Sequence, residues 1–598
     1  MRRLGNLAVI GSGPSALYFL NHLLDHWDAL HGSLDSVVIF EKSSAAGYGM
    51  PYHPETTDRY NRSNISSEEL PSLPEKFSDW LKRRDRDELT AWKIEKDDIS
   101  ESEVYCRLAL GGYFHDQFER LIDGIRGRGI DVDVRLSAAV KDLANLSAED
   151  CIQISTADGK RDDFDTVVIA SGHSWPEDDR PEEGYYSSPW PIFKLLPQEG
   201  SYWNFAVGTL GASLSAFDVV SSLSHRHGEF VENDGSLEFH VSDGAEDFEI
   251  VMHSSEGWLP HLQWDQEEPM REIYRHVTRE ELLALRGEDG FLRLGEFFDK
   301  VCRPVLRDAF EKDRMLEIAG YLEKPEFGFE EFVEEMSERH DYIDSFEGMR
   351  KEMVKAEESV EKHHPIHWKE TLDDLMYCLN YHAELLPAED QVTFRKTVMP
   401  FLMNVIAAMP LQSARMLLAL HEAGKVRLVG GKVQVEGAGK TPGSTRVTVD
   451  DDGTKTEIEY RMFVDCSGQG AMEIDDYPFH RLVEEGAVRA ARAQFIDTEA
   501  AEEVDVDKLL DDDGVPMLLT GGIDIDAGFR VIGEDGQANP RICDISFPHT
   551  SGVRPYSYGL QACNATAGIV VQSWLDSYEA DIEVKRDLAK VSRKYDEL

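Results

Sequence analysis

The sequence is short of basic residues, of cysteine and of long apolar runs, and each shortage excludes a class of function. Only 62 Lys+Arg stand against 114 Asp+Glu, a formal charge of −52. Nucleic acid is held by stripes of Lys and Arg along one face. No such stripe is present, which argues against a nucleic-acid partner and, for the same reason, against an anionic membrane surface. The seven cysteines (Cys106, Cys151, Cys302, Cys378, Cys466, Cys543 and Cys563) are odd in number, widely separated and never arranged as CxxC. That pattern argues against a disulfide framework, a zinc ribbon and a dithiol reductase centre. No segment supplies the roughly 18 apolar residues of a membrane span. Met1-Arg2-Arg3 leads into a short apolar run that breaks at Gly11-Ser12-Gly13, without a cleavage-site pattern. A cytoplasmic protein is expected.

What is present suits a large folded chain. Its 598 residues correspond to about four domain-sized units, fewer if one fold is large. With 41% apolar and 10% aromatic residues there is material for a core. The charged residues, 29% of the total, are spread along the chain rather than gathered in a tail, unlike a disordered polyelectrolyte. Arg outnumbers Lys, 38 to 24. Strong acidity with Arg preferred fits a protein working in concentrated salt, where screening weakens self-repulsion.

Leu7-Ala8-Val9-Ile10 is too short for a helix and suits a buried parallel strand. It runs into Gly11, Ser12, Gly13, Pro14, Ser15 and Ala16, then into a stretch with leucines at helical spacing, Leu17, Leu20, Leu23 and Leu24. A second apolar strand, Val37 to Phe40, ends in Glu41. Together these match the dinucleotide fingerprint G-x-G-x-x-G/A with an acidic residue after the second strand. Gly11 permits the tight turn, and Gly13 lets backbone amides approach a pyrophosphate at the helix N-terminus. Ala16 lets helix and strand pack closely, and Glu41 can accept from a ribose hydroxyl. Position alone does not separate FAD from NAD.

A second unit follows a Pro-rich stretch. Phe205-Ala206-Val207 leads through Gly208, Gly211 and Ser213 into a helix containing Phe217, Val220 and Leu223, and Phe248 to Met252 forms a further strand. The layout is that of a nicotinamide domain, with glycines spaced G-x-x-G. His253-Ser254-Ser255-Glu256 offers no Arg for a 2′-phosphate, and Glu256 would repel one. NADH, NADPH or no nicotinamide all stay open.

In order along the chain, Gly11 to Ala16, Gly47-Tyr48-Gly49-Met50-Pro51-Tyr52 and Tyr60-Asn61-Arg62-Ser63-Asn64 form one series of motifs. Phe77 to Leu81, Arg107 with Gly111-Gly112-Tyr113, Ala170-Ser171-Gly172-His173, Gly211 to Asp218, Gly257 to Pro260 and Val464 to Gly468 continue it. In this series the sequence resembles, over most of its length, the FAD/NAD(P)-binding oxidoreductases related to class B flavin monooxygenases and N-hydroxylases. It departs from them by the extra residue in the second Gly turn and by the missing Arg near Glu256.

The resemblance implies that Ala170, Ser171 and Gly172 lead the chain out of the FAD unit, with Ser171 in place of a Thr. It implies that Asn61 and Asn64 lie beside the reacting flavin; a carboxamide both donates and accepts without adding charge. The same Asn residues could simply shape a turn. Arg107 could hold a phosphate or could simply be paired. A helix running to Trp574 would point its N-terminus, with Tyr558, Gly559 and Leu560, at the flavin pyrimidine. Lys42, Met50 and Val140 complete the cofactor-binding set, and His549 is the acid–base candidate by position and side chain, a structural histidine being the alternative.

From about residue 267 to 423 strand signals give way to helical ones, as in Phe401 to Leu420. Either a cover for the active site or a scaffold would look like this. His363, His364 and His367 surround Pro365, which prevents regular helical presentation, so metal binding is not expected. Asp505 to Gly514 lacks the order of an EF-hand. Val464 to Gly468 is expected to re-enter the FAD unit.

The expected fold class is α/β: two dinucleotide-binding, Rossmann-like three-layer domains with a mainly helical insertion. The boundaries are 1–200 (FAD, first part), 201–266 (nicotinamide-like), 267–423 (helical insertion) and 424–598 (return to both). The expected function is that of an FAD-dependent oxidoreductase using NADH or NADPH, a monooxygenase being one form, acting on a small-molecule substrate. A flavin oxidase or dehydrogenase with a vestigial nicotinamide site, and a non-catalytic FAD-stabilised binding protein, are the alternatives.

Overall fold

A computed structural model describes residues 3–173, 178–233, 235–340, 344–406, 408–468, 470, 472–511 and 514–575. Apolar runs become strands buried on both faces. Gly5–Ile10, Leu34–Phe40 and Thr166–Ile169 expose almost nothing, as parallel strands covered by helices must. They belong to a six-stranded sheet in the order Arg530–Ile532, Ala538–Asp544, Thr166–Ile169, Gly5–Ile10, Leu34–Phe40, Asp131–Arg135. All are parallel except the edge strand Arg530–Ile532.

A second sheet has five parallel strands in the order Tyr185–Tyr186, Met462–Asp465, Ala206–Leu210, Glu249–Ser254, Val426–Gly430. Both sheets follow one plan. A central strand turns into a helix, Pro14–Asp25 in the first and Leu214–His227 in the second, and the next two strands are added on one side. An antiparallel meander then leads back to the other side. It is Val140–Leu146, Cys151–Thr156 and Arg161–Phe164 in the first unit, and Lys432–Ala438, Thr445–Asp451 and Thr454–Tyr460 in the second. The chain is thus α/β with two Rossmann-type sheets and a mainly helical insertion.

One expectation is corrected here. Val464 does not re-enter the first unit. Met462–Asp465 pairs with Ala206–Leu210 as the last strand of the second sheet in chain order, with Val207 opposite Met462. The first sheet regains a parallel strand only at Ala538–Asp544, where Ile542 lies opposite Val167. Two buried strands with similar small-residue ends read alike until their neighbours are known.

Between Glu249–Ser254 and Val426–Gly430 the chain is helical, from Arg279–Ala284 to Leu411–Glu422. These helices are shared between two cores. Leu372, Tyr377 and Leu402 join the apolar cluster of the first sheet, with Val9, Ile39 and Val168. Met349, Ala356 and Leu417 join that of the second, with Val207, Ile250 and Val464. The insertion therefore packs against both units. No helix among the described residues is long and apolar enough to cross a membrane.

Candidate cofactor and substrate site

The first Gly loop is built from backbone that only glycine tolerates. Gly11 has φ +101°, and a Cβ there would lie 2.4 Å from the Ala170 carbonyl oxygen. Its N–H donates to the Phe40 carbonyl at 2.8 Å, tying the loop to the neighbouring strand. Gly13 is the N-cap of helix Pro14–Asp25, has no side-chain cap, and faces Gly49, whose Cα would lie 3.1 Å from an added Cβ. With Pro14 at the first helical position, the free amides of this first turn are left for an anion. Ala16 is buried beneath them.

Glu41 laces the loop. Its Oε2 accepts from Ser12 Oγ at 2.6 Å, and its Oε1 accepts from Ser43 N and Oγ, both at 2.8 Å. Ser12 Oγ in turn accepts from Gly47 N at 3.0 Å. An ionised carboxylate has about four acceptor directions, so one remains for a ribose hydroxyl. Lys42 is exposed beside it, Met50 opens the short turn Met50–Tyr52, and Val140 begins the meander. Ala170 is buried against Gly11, Ser171 Oγ lies 3.3 Å from Ser546 Oγ, and Gly172 faces open space.

Several side chains singled out in the sequence act elsewhere. Asn61 is fully buried and all its amide positions are used. Its Oδ1 accepts from Asp58 N and Thr57 Oγ1, and its Nδ2 donates to the Asp218 carbonyl and Ser222 Oγ. Arg107 donates to Asp218 Oδ2 at 2.8 Å and lies over the Trp190 ring. Burial raises the Asp218 carboxyl to about 6 although Arg107 pulls it down. Asn61 and Arg107 thus stitch the first unit to helix Leu214–His227 of the second. Polar side chains of this kind serve a seam as well as a cofactor, and only the tertiary contacts tell which.

His549 is also structural. It is buried, its Nδ1 lies 2.7 Å from Asp544 Oδ2, and Tyr477 OH donates to the same oxygen at 3.1 Å. Of the histidines around Pro365, His363 pairs with Asp265 and His367 with Asp313.

The second loop is corrected by register. Gly208 lies inside strand Ala206–Leu210, where an added Cβ would meet Phe463 at 2.6 Å and Tyr460 at 2.9 Å, so it serves close packing. Gly211 is the counterpart of Gly11. It has φ +101°, donates to the His253 carbonyl at 2.8 Å and abuts the Cys466 carbonyl. The loop therefore reads Gly211-Ala212-Ser213-Leu214-Ser215-Ala216, with Ser213 as helix N-cap where the first loop has Gly13. Ile10 lies opposite Phe40 and Leu210 opposite His253, so Ser254, not Glu256, occupies the position of Glu41. Glu256 is exposed two residues further on. Counting register would have found Ser254 in the sequence.

Asn64, Tyr558, Gly559 and Leu560 do come together. They line a cavity of ≈ 130 Å³ with Tyr52 and Gln561. Gly559 has φ +90° and ends the loop before helix Leu560–Leu575, which packs on Pro14–Asp25 through Phe19 and Trp574 and through Ser15 and Cys563. Burial pushes the Tyr558 phenol up to about 12, so it stays protonated at neutral pH.

The far wall was not foreseen. Helix His367–Asn380 and the residues after it present Asp373, Tyr377, Asn380 and Tyr381 along one face, at helical spacing. Tyr556 OH donates to Asp373 Oδ1 at 2.6 Å, Tyr377 OH to the Gln561 carbonyl, and Asn380 Nδ2 to Ser557 Oγ at 2.7 Å, while Tyr556 N donates to Asn380 Oδ1. The buried pair Arg554–Glu384 extends the same latch. The insertion thus holds the turn that begins helix Leu560–Leu575.

Residues 8–174 match the family described as FAD-NAD(P)-binding. The first unit carries an FAD-NAD(P)-binding domain. Residues 278–406, inside the helical insertion, match the YdhS-like middle domain. Over 486 residues the chain is 28% identical to the uncharacterized protein YdhS of Escherichia coli (strain K12), covering 80% of this chain and 86% of that one. Among solved structures, it is similar to the ornithine N-hydroxylase KtzI of Kutzneria sp. 744, at 13% identity and TM-score 0.47, covering 95% of this chain and 98% of that one. It is also similar to the ornithine hydroxylase PvdA of Pseudomonas aeruginosa in its reduced form, at 11% identity and TM-score 0.48, covering 96% and 99%. The FAD-NAD(P)-binding match spans Gly11 to Ala16, Glu41 and Ala170 to Gly172, the residues whose loop geometry is described above.

Proposed function

We propose that the chain is an FAD-dependent oxidoreductase whose flavin is reduced by NADH or NADPH and passes its electrons to dioxygen or a small organic acceptor, a monooxygenase being the dioxygen-using form. The observation that carries this reading is the first loop. A Cβ at Gly11 would strike the Ala170 carbonyl, and the free amides of the first helical turn lie beside a Glu41 carboxylate with one acceptor direction left. That donor and acceptor set fits a dinucleotide diphosphate and its ribose.

FAD, when bound, supplies the hydride acceptance and electron transfer that no side chain here can provide. Gly11 to Ala16 hold the diphosphate, Glu41 the ribose, and Tyr558, Gly559 and Leu560 face the ring from the start of helix Leu560–Leu575. That helix end favours negative charge near it. Asn64 supplies a neutral donor and acceptor at the cavity, and the latch of Asp373, Tyr377 and Asn380 keeps the helix start in place. The FAD unit comprises the first sheet, with its late strands Arg530–Ile532 and Ala538–Asp544, the nicotinamide unit the second sheet, and the insertion packs against both. The seven free thiols support a reducing, cytoplasmic setting. The charge of −52 supports work in concentrated salt; thermal stability is expected to rise with added KCl.

Purified protein should be yellow, and stopped-flow mixing with NADH and NADPH should bleach the flavin. Colourless protein that takes up no added FAD overturns the reading. An oxidase without a working nicotinamide site is a second reading, favoured by Ser213, whose Cβ stands where Gly13 leaves room in the first loop. A substrate that bleaches the flavin when neither nicotinamide does would select it.

A further inference from the structure

The wall of the cavity opposite Asn64 contains a guanidinium only partly used by the protein. Arg271 Nε donates to Asp373 Oδ2 at 2.8 Å, and its backbone N–H donates to Gln561 Oε1 at 2.7 Å. Gln561 Nε2 is fixed by the carbonyls of Glu69 and Pro269, both at 2.9 Å, and Asp373 by Tyr556 OH. The guanidinium also lies 5.4 Å from the Tyr556 ring centroid and 5.6 Å from that of Tyr377. Arg271 is thus immobilised from several sides, while neither terminal nitrogen has a hydrogen-bond partner among the described residues. Arg271 lines the cavity.

A second donor lies in the same wall. Trp264 is only 7% exposed, lines the cavity, and its Nε1–H has no partner among the described residues. A buried N–H without an acceptor is destabilising, so an acceptor is expected to meet it. Leu560 and Gln561, at the start of helix Leu560–Leu575, line the same cavity.

We propose that this cavity binds a small-molecule substrate through a carboxylate held by Arg271, with Trp264 Nε1 as a supporting donor. The inference rests on the flavin reading for its place beside the ring, and names the substrate class of that site. A planar fork of two N–H groups matches a carboxylate in bidentate fashion, which an ammonium cannot do. The charge balance selects a monoanion. Asp373 already offsets part of the Arg271 charge, and Glu68, Glu69 and Asp265 on the same lining repel a second negative charge. The rest of the ligand is neutral or cationic.

The test titrates the holoprotein with benzoate and acetate, with benzamide and acetamide as uncharged matches, and with inorganic phosphate. Binding is read as a flavin absorbance difference, tryptophan quenching and thermal shift. Benzoate is expected to bind saturably and benzamide not. Arg271→Met should weaken benzoate about tenfold or more, and Arg271→Lys should fall between, keeping charge without the fork. If Arg271→Met does not fold, Arg271→Lys carries the comparison. Benzamide binding as tightly as benzoate, phosphate binding more tightly than either carboxylate, or benzoate affinity unchanged in the folded variant overturns the proposal. Colourless protein that still shows Arg271-dependent benzoate stabilisation keeps the anchor and rejects the flavin. Yellow protein without it does the reverse.

Discussion

The two Gly loops share a backbone and differ in chemistry. Gly11 and Gly211 both have φ +101°, both donate to the carbonyl of the residue opposite the end of their own strand (Phe40 and His253), and both abut the carbonyl just after the returning strand (Ala170 and Cys466). Beyond that backbone, the first loop has Gly13 and Glu41 where the second has Ser213 and Ser254. The sheet and the first turn of the helix follow from fold geometry. What each loop can hold depends on two side-chain positions. A bare N-cap with a carboxylate suits a tightly kept dinucleotide, whereas a serine at each position gives a narrower, uncharged site for one that comes and goes.

The largest expected effect separates the loops by ligand. Gly11→Ala places a Cβ 2.4 Å from the Ala170 carbonyl at a φ that disfavours any side chain, a strain of about 3 kcal/mol or more. The variant should purify without flavin or fail to accumulate. Gly211→Ala, where the clash is 3.0 Å, should stay yellow and lose nicotinamide-driven bleaching. If both variants lose FAD alike, the division of labour is wrong.

Glu41→Leu comes next. It removes the acceptor of Ser12 and Ser43 and the ribose contact, and should weaken FAD by about 2 kcal/mol, roughly thirtyfold, in a fluorescence titration of apoprotein. Ser254→Leu at the matching position should leave FAD affinity unchanged. Ser213→Gly sharpens the contrast in the opposite direction. Restoring the first loop's bare N-cap should speed flavin reduction about fivefold, a gain of ~1 kcal/mol, with the flavin spectrum unaltered.

The smallest effect is a pH dependence at one buried histidine of the second unit. Burial lowers His253 from the ordinary 6.5 to about 4, and its Nε2 lies 2.9 Å from Tyr460 OH. Unfolded chain binds a proton near pH 6.5 and folded chain only near 4. Between those values the unfolded state holds more protons, so this contribution to stability falls as pH drops from 6.5 to 4 and is constant below. Urea midpoints at pH 7.5 and 4.5 should differ less in His253→Phe than in the natural chain.

How much was legible depends on the range of the interaction. The strand–turn–helix of residues 5–25 and Glu41 could be read because adjacent residues and one fixed register carry them. The helical insertion could be read from its period, and Tyr558 to Leu560 from the start of a late helix. Asn61, Arg107 and His549 stayed ambiguous in the sequence because a polar side chain looks the same whether it meets a cofactor or Asp218 and Asp544 from distant segments. Gly208 was misread because a glycine inside a strand and one in a turn have the same letter; only Gly211 has the positive φ. Arg271 and Trp264 gave no local signal, since their importance lies in donors left unused.

By itself, the sequence determined an acidic α/β chain with a dinucleotide loop near its start, a second such unit and a helical insertion. These follow from composition, from periodicity and from motifs closed within about forty residues. Only the tertiary structure decided which unit Val464 belongs to, that Asn61 and Arg107 form a seam, and that Asp373, Tyr377 and Asn380 latch the start of helix Leu560–Leu575. It also decided that Arg271 faces a cavity with part of its charge free. Those contacts join residues more than a hundred positions apart, and burial and pairing at that range depend on how the sheets and the insertion close on one another.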